Sequence, residues 1–153
     1  MKTKINIKTA SIAIMILFAS WAFTSYGQTP KKTEVKVMNK NMYIKEVYDY
    51  EKNPDEYIFK SKRPAVIDFY ADWCGPCRRI APIMDELSIK YKGKVDFYKV
   101  NVDFEKELAS VHGVQSIPVV GFFPVNEGPQ MVLGALPKDQ YIKYIEEILI
   151  PKK

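Results

Sequence analysis

Ala65 to Ala71 (AVIDFYA) is a near-continuous apolar run, bounded by Pro64 on one side and by the Gly75-Pro76 turn signal on the other. A strand with one wet face alternates between apolar and polar residues. An apolar run without that alternation reads as a strand buried on both faces, so it belongs in the middle of a sheet with a layer above and a layer below. Beyond Cys77, Ile80, Ile83, Met84, Leu87 and Tyr91 recur at helical spacing up to Gly93. The central strand therefore feeds a helix, and the crossing runs through the chain's two cysteines, Cys74 and Cys77. One residue in the run is out of character. Asp68 places a carboxylate where burial costs several kcal/mol unless the group is paired or its pKa rises, and so expensive a residue suggests a task.

The remaining pattern completes an α/β chain. Val35 to Met38 predicts a short strand. With Asn39 or Asn41 as N-cap, Met42, Tyr43, Ile44, Val47 and Tyr50 suggest a helix ended by Asn53-Pro54. Val95 to Val102 alternates as a second strand of the core, and Asp103 is placed to cap a short helix through Leu108 and Val111 that Gly113 stops. Val119 to Phe123 predicts a third core strand, joined through a turn at Asn126 to Pro129 to a strand at Gln130 to Leu133 in a hairpin. From Pro137, Tyr141, Ile142, Ile145, Ile148 and Leu149 share the face of a last helix, which Pro151 ends. The expected class is α/β, with a central mixed sheet flanked by helices on both faces, in one domain over residues 35–151. Pro82 falls inside the cysteine-bearing helix and is expected to kink it.

The opening residues read as an address. Residues 1–9 carry three lysines, residues 10–23 (ASIAIMILFASWAF) carry no charge, and Thr24 to Gln28 turn small and polar. This is a signal-peptide pattern over residues 1–27, with cleavage expected near Gly27. The 14 apolar residues fall short of the roughly 20 of a permanent membrane helix, so no stable anchor is expected. Residues 28–34 (QTPKKTE) read as a flexible leader. Removing the three opening lysines from the net charge of +5 leaves +2, too little and too evenly spread to suggest a nucleic-acid surface.

With two cysteines, a multi-bridge secreted scaffold is excluded. Their spacing lets them close a small disulfide at the start of a helix, where N-terminal amides favour a thiolate. Cys74, with its exposed sulfur, is then the nucleophile that attacks a partner disulfide, and Cys77 resolves the mixed disulfide. Gly75 allows the tight approach, and Pro76 suits a first helical position that needs no amide proton. A zinc site has half this signature but wants four ligands, and only His112 remains as a third. A purely structural bridge across so short a loop would constrain the unfolded chain little. His112, at a helix end, is read as a surface residue.

At this point a resemblance becomes specific. Asp68 to Cys77 (DFYADWCGPC) with Arg78 to Pro82 (RRIAP) closely resembles the thioredoxin family, and the similarity runs from about residue 35 to 150. Lys99 to Asp103 (KVNVD), Ser116 to Pro118 (SIP) and Gly134 to Leu136 (GAL) follow in that family's order. The resemblance implies the thioredoxin fold and a protein thiol-disulfide oxidoreductase that needs no bound cofactor or metal. It implies Cys74 and Cys77 as the redox pair, Asp68 as the aid to proton transfer at Cys77, and Lys99 as a moderator of the Asp68 charge. Trp73, Gly75, Pro76, Ile117, Pro118 and Gly134 would form the docking face for protein disulfides, with Ile117-Pro118 matching a cis-proline loop. Val119 departs from the Thr common after that proline. The Gly75-Pro76 pair is associated with reducing members. Glu46 to Pro64 and Phe123 to Pro137 look like a bacterial subgroup that includes exported members.

The expectation is thus a monomeric, exported, periplasmic reductant recharged by a membrane thiol-disulfide transporter or a reductase. The oxidising character of that compartment keeps two rivals open. One is a disulfide-forming oxidase, and the other is a binding or chaperone module without turnover.

Overall fold

The computed structural model describes residues 33–151; the expected signal segment and most of the leader lie outside them. Five strands form one sheet: β1 (Lys36–Val37), β2 (Ala65–Tyr70), β3 (Asp96–Asn101), β4 (Val119–Phe123) and β5 (Gln130–Leu133). Their order is β1-β3-β2-β4-β5, so the apolar run does take the central position. β3 is parallel to β1 and β2, while β4 is antiparallel to β2 and β5, which makes the sheet mixed. The α-helices are α1 (Lys40–Glu46), α2 (Gly75–Lys90), α3 (Lys106–Val111) and α4 (Lys138–Tyr144), the last continuing as a π-helical turn at Ile145–Leu149.

Successive strand residues point to opposite faces, and the core divides accordingly. Ala65, Ile67 and Phe69 of β2 pack with Tyr43 of α1, Leu108 of α3 and Phe123 of β4. Val66 packs on the other face with Ile80 and Leu87 of α2, Tyr141 of α4, and Ile145. Helices therefore cover both faces, as the unalternating run requires. Asp68 has the parity of Val66, which aims it into the layer that contains α2.

Three local expectations fail, each for a visible reason. First, α1 stops at Glu46, well before Asn53-Pro54. Asn39 caps it through a bond from Met42 N, but at its other end Lys60 N donates to Val47 O at 2.8 Å and Tyr48 bridges to Phe59. The apolar residues that mimic a continuing helix stripe are used instead to pin a long loop. Second, Asp103 does not cap α3, whose N-cap Glu105 makes no side-chain cap bond; its carboxylate accepts from Trp73 Nε1 at 2.9 Å. Third, His112 is half-buried and turned inward, not a simple surface residue. Its Nε2 lies 2.7 Å from the Tyr43 hydroxyl and its ring is 5.3 Å from those of Tyr43 and Phe123, and burial pushes its pKa down to about 4.

The last helix runs to Leu149 as expected but widens at its end, where Ile150 N donates to Ile145 O at 3.1 Å; the wider turn accompanies the burial of both Ile145 and Leu149. At the other terminus, Thr33 donates to Asp85 and Glu34 N donates to Ser88 Oγ at 3.1 Å, tying the end of the leader sequence to α2. No described helix is long and apolar enough to cross a membrane.

Candidate active site

The β2 strand ends at Tyr70, and α2 begins five residues later at Gly75, so the turn between them has little freedom. Cys74 N donates to Ala71 O at 3.1 Å, and an Arg78 guanidinium nitrogen donates to Asp72 O at 2.9 Å. Cys74 is the N-cap of α2. Its sulfur accepts from Cys77 N at 3.2 Å, the geometry in which helix-end amides stabilise negative charge on sulfur. Gly75 is the first helical residue and Pro76 the second, not the first as expected. Cys74 and Cys77 are joined as a disulfide with Cα atoms 5.3 Å apart.

The expected exposure of the first sulfur does not hold: Cys74 is 4% exposed and Cys77 3%. Ala71, Tyr70, Val102 and Ile117 close around the pair. Ile117 belongs to a cis Ile117-Pro118 bond, so the loop expected to face the disulfide does so. Pro118 O is occupied by Gly134 N at 2.8 Å. Gly134 is required by its φ of +96°, where L side chains are strained, while the space above it is open. The fully buried Tyr141 steadies the same stretch, since its hydroxyl accepts from Leu136 N at 3.1 Å and donates to Gly134 O at 3.4 Å. Trp73 stands 68% exposed at the rim. With Val102, Val114, Gln115, Ser116 and Ile117 it lines a cleft of about 440 Å³.

Asp68 is 5% exposed, and its Oδ1 is buried without a hydrogen-bond partner. Desolvation pushes its pKa up to about 7, with Lys99 pulling the other way. Lys99 is directly opposite Asp68 in the β2-β3 register, but its ammonium lies 5.4 Å over the Tyr70 ring and makes no ion pair with Asp68. Its influence there is a field and not a bond. Among the described residues no group of three or more His, Cys, Asp or Glu is placed to hold a metal ion.

The sequence reading missed Asn101, Asp103 and Tyr141. The first two had a signal, polar residues at the end of a core strand. The third had none, because a buried Tyr and a buried Leu fit an apolar stripe equally well.

A redox pair at a helix end, packed on a cis-proline loop beside a mixed sheet, defines a thiol-disulfide oxidoreductase. The thioredoxin family model matches residues 45–147. A thioredoxin of Borreliella burgdorferi is 45% identical over 105 residues, covering 69% of this chain and 89% of that protein. A thioredoxin of Synechocystis sp. is 42% identical over 94 residues, 61% of this chain and 88% of its own length. A chloroplastic M-type thioredoxin of Spinacia oleracea is 40% identical over 109 residues, 71% of this chain and 60% of its own. The chain belongs to the thioredoxin family, and its activity is that of a disulfide reductase acting on protein disulfides.

Proposed function

We propose that Cys74 attacks and Cys77 resolves, with Asp68 as the proton carrier for the buried thiol. The Cys74 thiolate bonds to one sulfur of a client disulfide and expels the other as a thiolate. The Cys77 thiol then loses its proton to Asp68, and its sulfur displaces the client from Cys74. Two electrons have passed to the client, whose two thiolates take up one proton from Asp68 and one from water, and the protein is left as the disulfide. A carboxyl with a pKa of about 7 is matched to moving a proton near neutrality. The observation that carries this reading is the helix-end disulfide packed against Ile117, with an unpartnered carboxylate in the same sheet-helix layer. Trp73, Gly75, Pro76, Ile117, Pro118 and Gly134 are the client surface. Pro118 O is engaged by Gly134, so backbone pairing with a client falls to Ile117.

Replacing each cysteine by Ser tests the order. Cys74→Ser abolishes turnover, and Cys77→Ser accumulates a client bound through Cys74; accumulation through Cys77 in Cys74→Ser instead would reverse the assignment.

The signal pattern of residues 1–27 supports export with cleavage near Gly27 and work in the periplasm as a monomer, recharged by a membrane thiol-disulfide transporter or a reductase. Fractionation and N-terminal sequencing test this, and a cytoplasmic protein starting at Met1 would overturn it. An exported site that lacked a donor would run as an oxidase, and the redox state of Cys74 and Cys77 in quenched cells distinguishes the two directions. A reduced pair supports the reductant.

A further inference from the structure

Phe104 is 80% exposed, the most exposed of the large apolar side chains among the described residues. Its main chain is also held in place. Asn101, itself 7% exposed, accepts through its main-chain oxygen from Phe104 N at 3.2 Å and Glu105 N at 2.9 Å. Its side-chain oxygen accepts from Asp103 N at 3.0 Å, and its side-chain nitrogen donates to Asp72 at 3.3 Å. Asp103 in turn accepts the Trp73 indole N–H at 2.9 Å. Two crossed bonds, Asp72 to Asn101 and Trp73 to Asp103, thus tie the turn carrying Phe104 to the turn carrying the redox pair. An exposed aromatic is a cost to the isolated chain, and exposed aromatics carried on a fixed main chain are usual anchors of protein interfaces because little backbone freedom remains to be lost on binding.

We propose that Phe104 extends the client surface beyond Trp73 and receives an apolar side chain flanking the client's disulfide. The turn that carries it adjoins the surface clients must already use. Val102, two residues before Phe104, packs against the redox pair and lines the cleft shared by Trp73 and Ile117. The occupant is an extended polypeptide with aliphatic or aromatic residues near its cysteine, and not a small disulfide, which needs only the sulfur. The inference rests on the docking of clients around Cys74.

The test uses two synthetic disulfide-bridged peptides that differ only in carrying Leu or Asn beside each cysteine, with a small aromatic disulfide as reference. The wild-type chain is expected to have a KM several-fold lower for the Leu peptide. Phe104→Ala should remove most of that preference, about three- to tenfold in KM, and leave kcat and the small-disulfide rate within about twofold. Phe104→Tyr should keep the preference. Thermal unfolding of each variant establishes that it is folded. An equal preference in Phe104→Ala, or none in the wild type, overturns the inference while leaving the reductase reading intact. A wild-type chain that reduces the small disulfide and neither peptide overturns the docking reading itself.

Discussion

Two carboxylates in this molecule are almost equally hidden, Asp49 at 3% exposure and Asp68 at 5%, and their surroundings have opposite effects. Asp49 sits in the long loop after α1. Lys60 Nζ bonds to its Oδ2 at 3.0 Å and Lys52 N donates to its Oδ1 at 3.3 Å, so the Lys60 ammonium holds its carboxyl below the ordinary range. Asp68 sits in the central strand with Oδ1 unpartnered, and burial pushes it up to about 7. Burial alone therefore does not say what a buried acid is for. Asp49 has its charge answered and knits a loop, while Asp68 has its charge left open on the face of the central strand that α2 covers.

The sharpest way to break this contrast is Asp68→Asn. Below the ordinary carboxylate value of 3.8, Asp68 is neutral in the folded and unfolded chains alike and costs nothing. As pH rises to about 7 the unfolded chain ionises first; the fold loses about 4 kcal/mol over that window and no more above it. Asn avoids the ionisation but keeps a buried amide that costs roughly 1–3 kcal/mol if unpartnered. Denaturant unfolding at pH 8 should therefore show the variant more stable by about 1–3 kcal/mol, and below the ordinary carboxylate value the order should reverse, because only the amide cost remains. Resolution of the mixed disulfide at neutral pH should slow by about tenfold or more, read by quenched-flow alkylation. A variant with wild-type stability and kinetics would mean that Asp68 is no different in kind from Asp49.

Lys60→Met is the reciprocal experiment, because it leaves Asp49 hidden with only the more distant Lys52 ammonium, 3.9 Å away. The melting temperature should fall by several degrees, and by clearly less when Asp49→Asn is already present. Equal drops in both backgrounds would show that the pair does not answer the buried charge. The two acids also give opposite pH slopes. The lowered pKa of Asp49 contributes stability that is present above the ordinary value of 3.8 and is lost as pH falls through its folded value. Acid unfolding of Asp49→Asn should accordingly be shallower than that of the wild type, and that of Asp68→Asn steeper. The smallest effect is expected from Lys99→Gln. It removes a cation that acts on Asp68 only at a distance, so a carbon-13 titration of the carboxyl should move up by a fraction of a unit, and an unmoved titration would remove Lys99 from the site.

Much of the architecture is legible in residue order because it rests on periodicity and punctuation. The strand boundaries at Val119–Phe123 and Gln130–Leu133 coincide with the apolar runs. The helix after the cysteines begins and ends where Gly75-Pro76 and Gly93 suggest. Where partners distant in sequence decide the outcome, the reading fails. Tyr48 meets Phe59 and Val47 meets Lys60, which ends α1 early. Asp103 prefers Trp73 to a helix cap, and His112 finds Tyr43 across the core.

The sequence by itself determined the α/β class, the central place of Ala65 to Ala71 and the identity of the redox pair. Each of these follows from apolar spacing or from a covalent motif that is local in the chain. Only the tertiary structure decided which buried acid is answered and which is left open, that Cys74 is nearly covered, and that the turn carrying Phe104 is tied to the turn carrying Trp73. Burial, electric field and crossed hydrogen bonds between strand ends arise from groups tens of residues apart, and no local pattern encodes them.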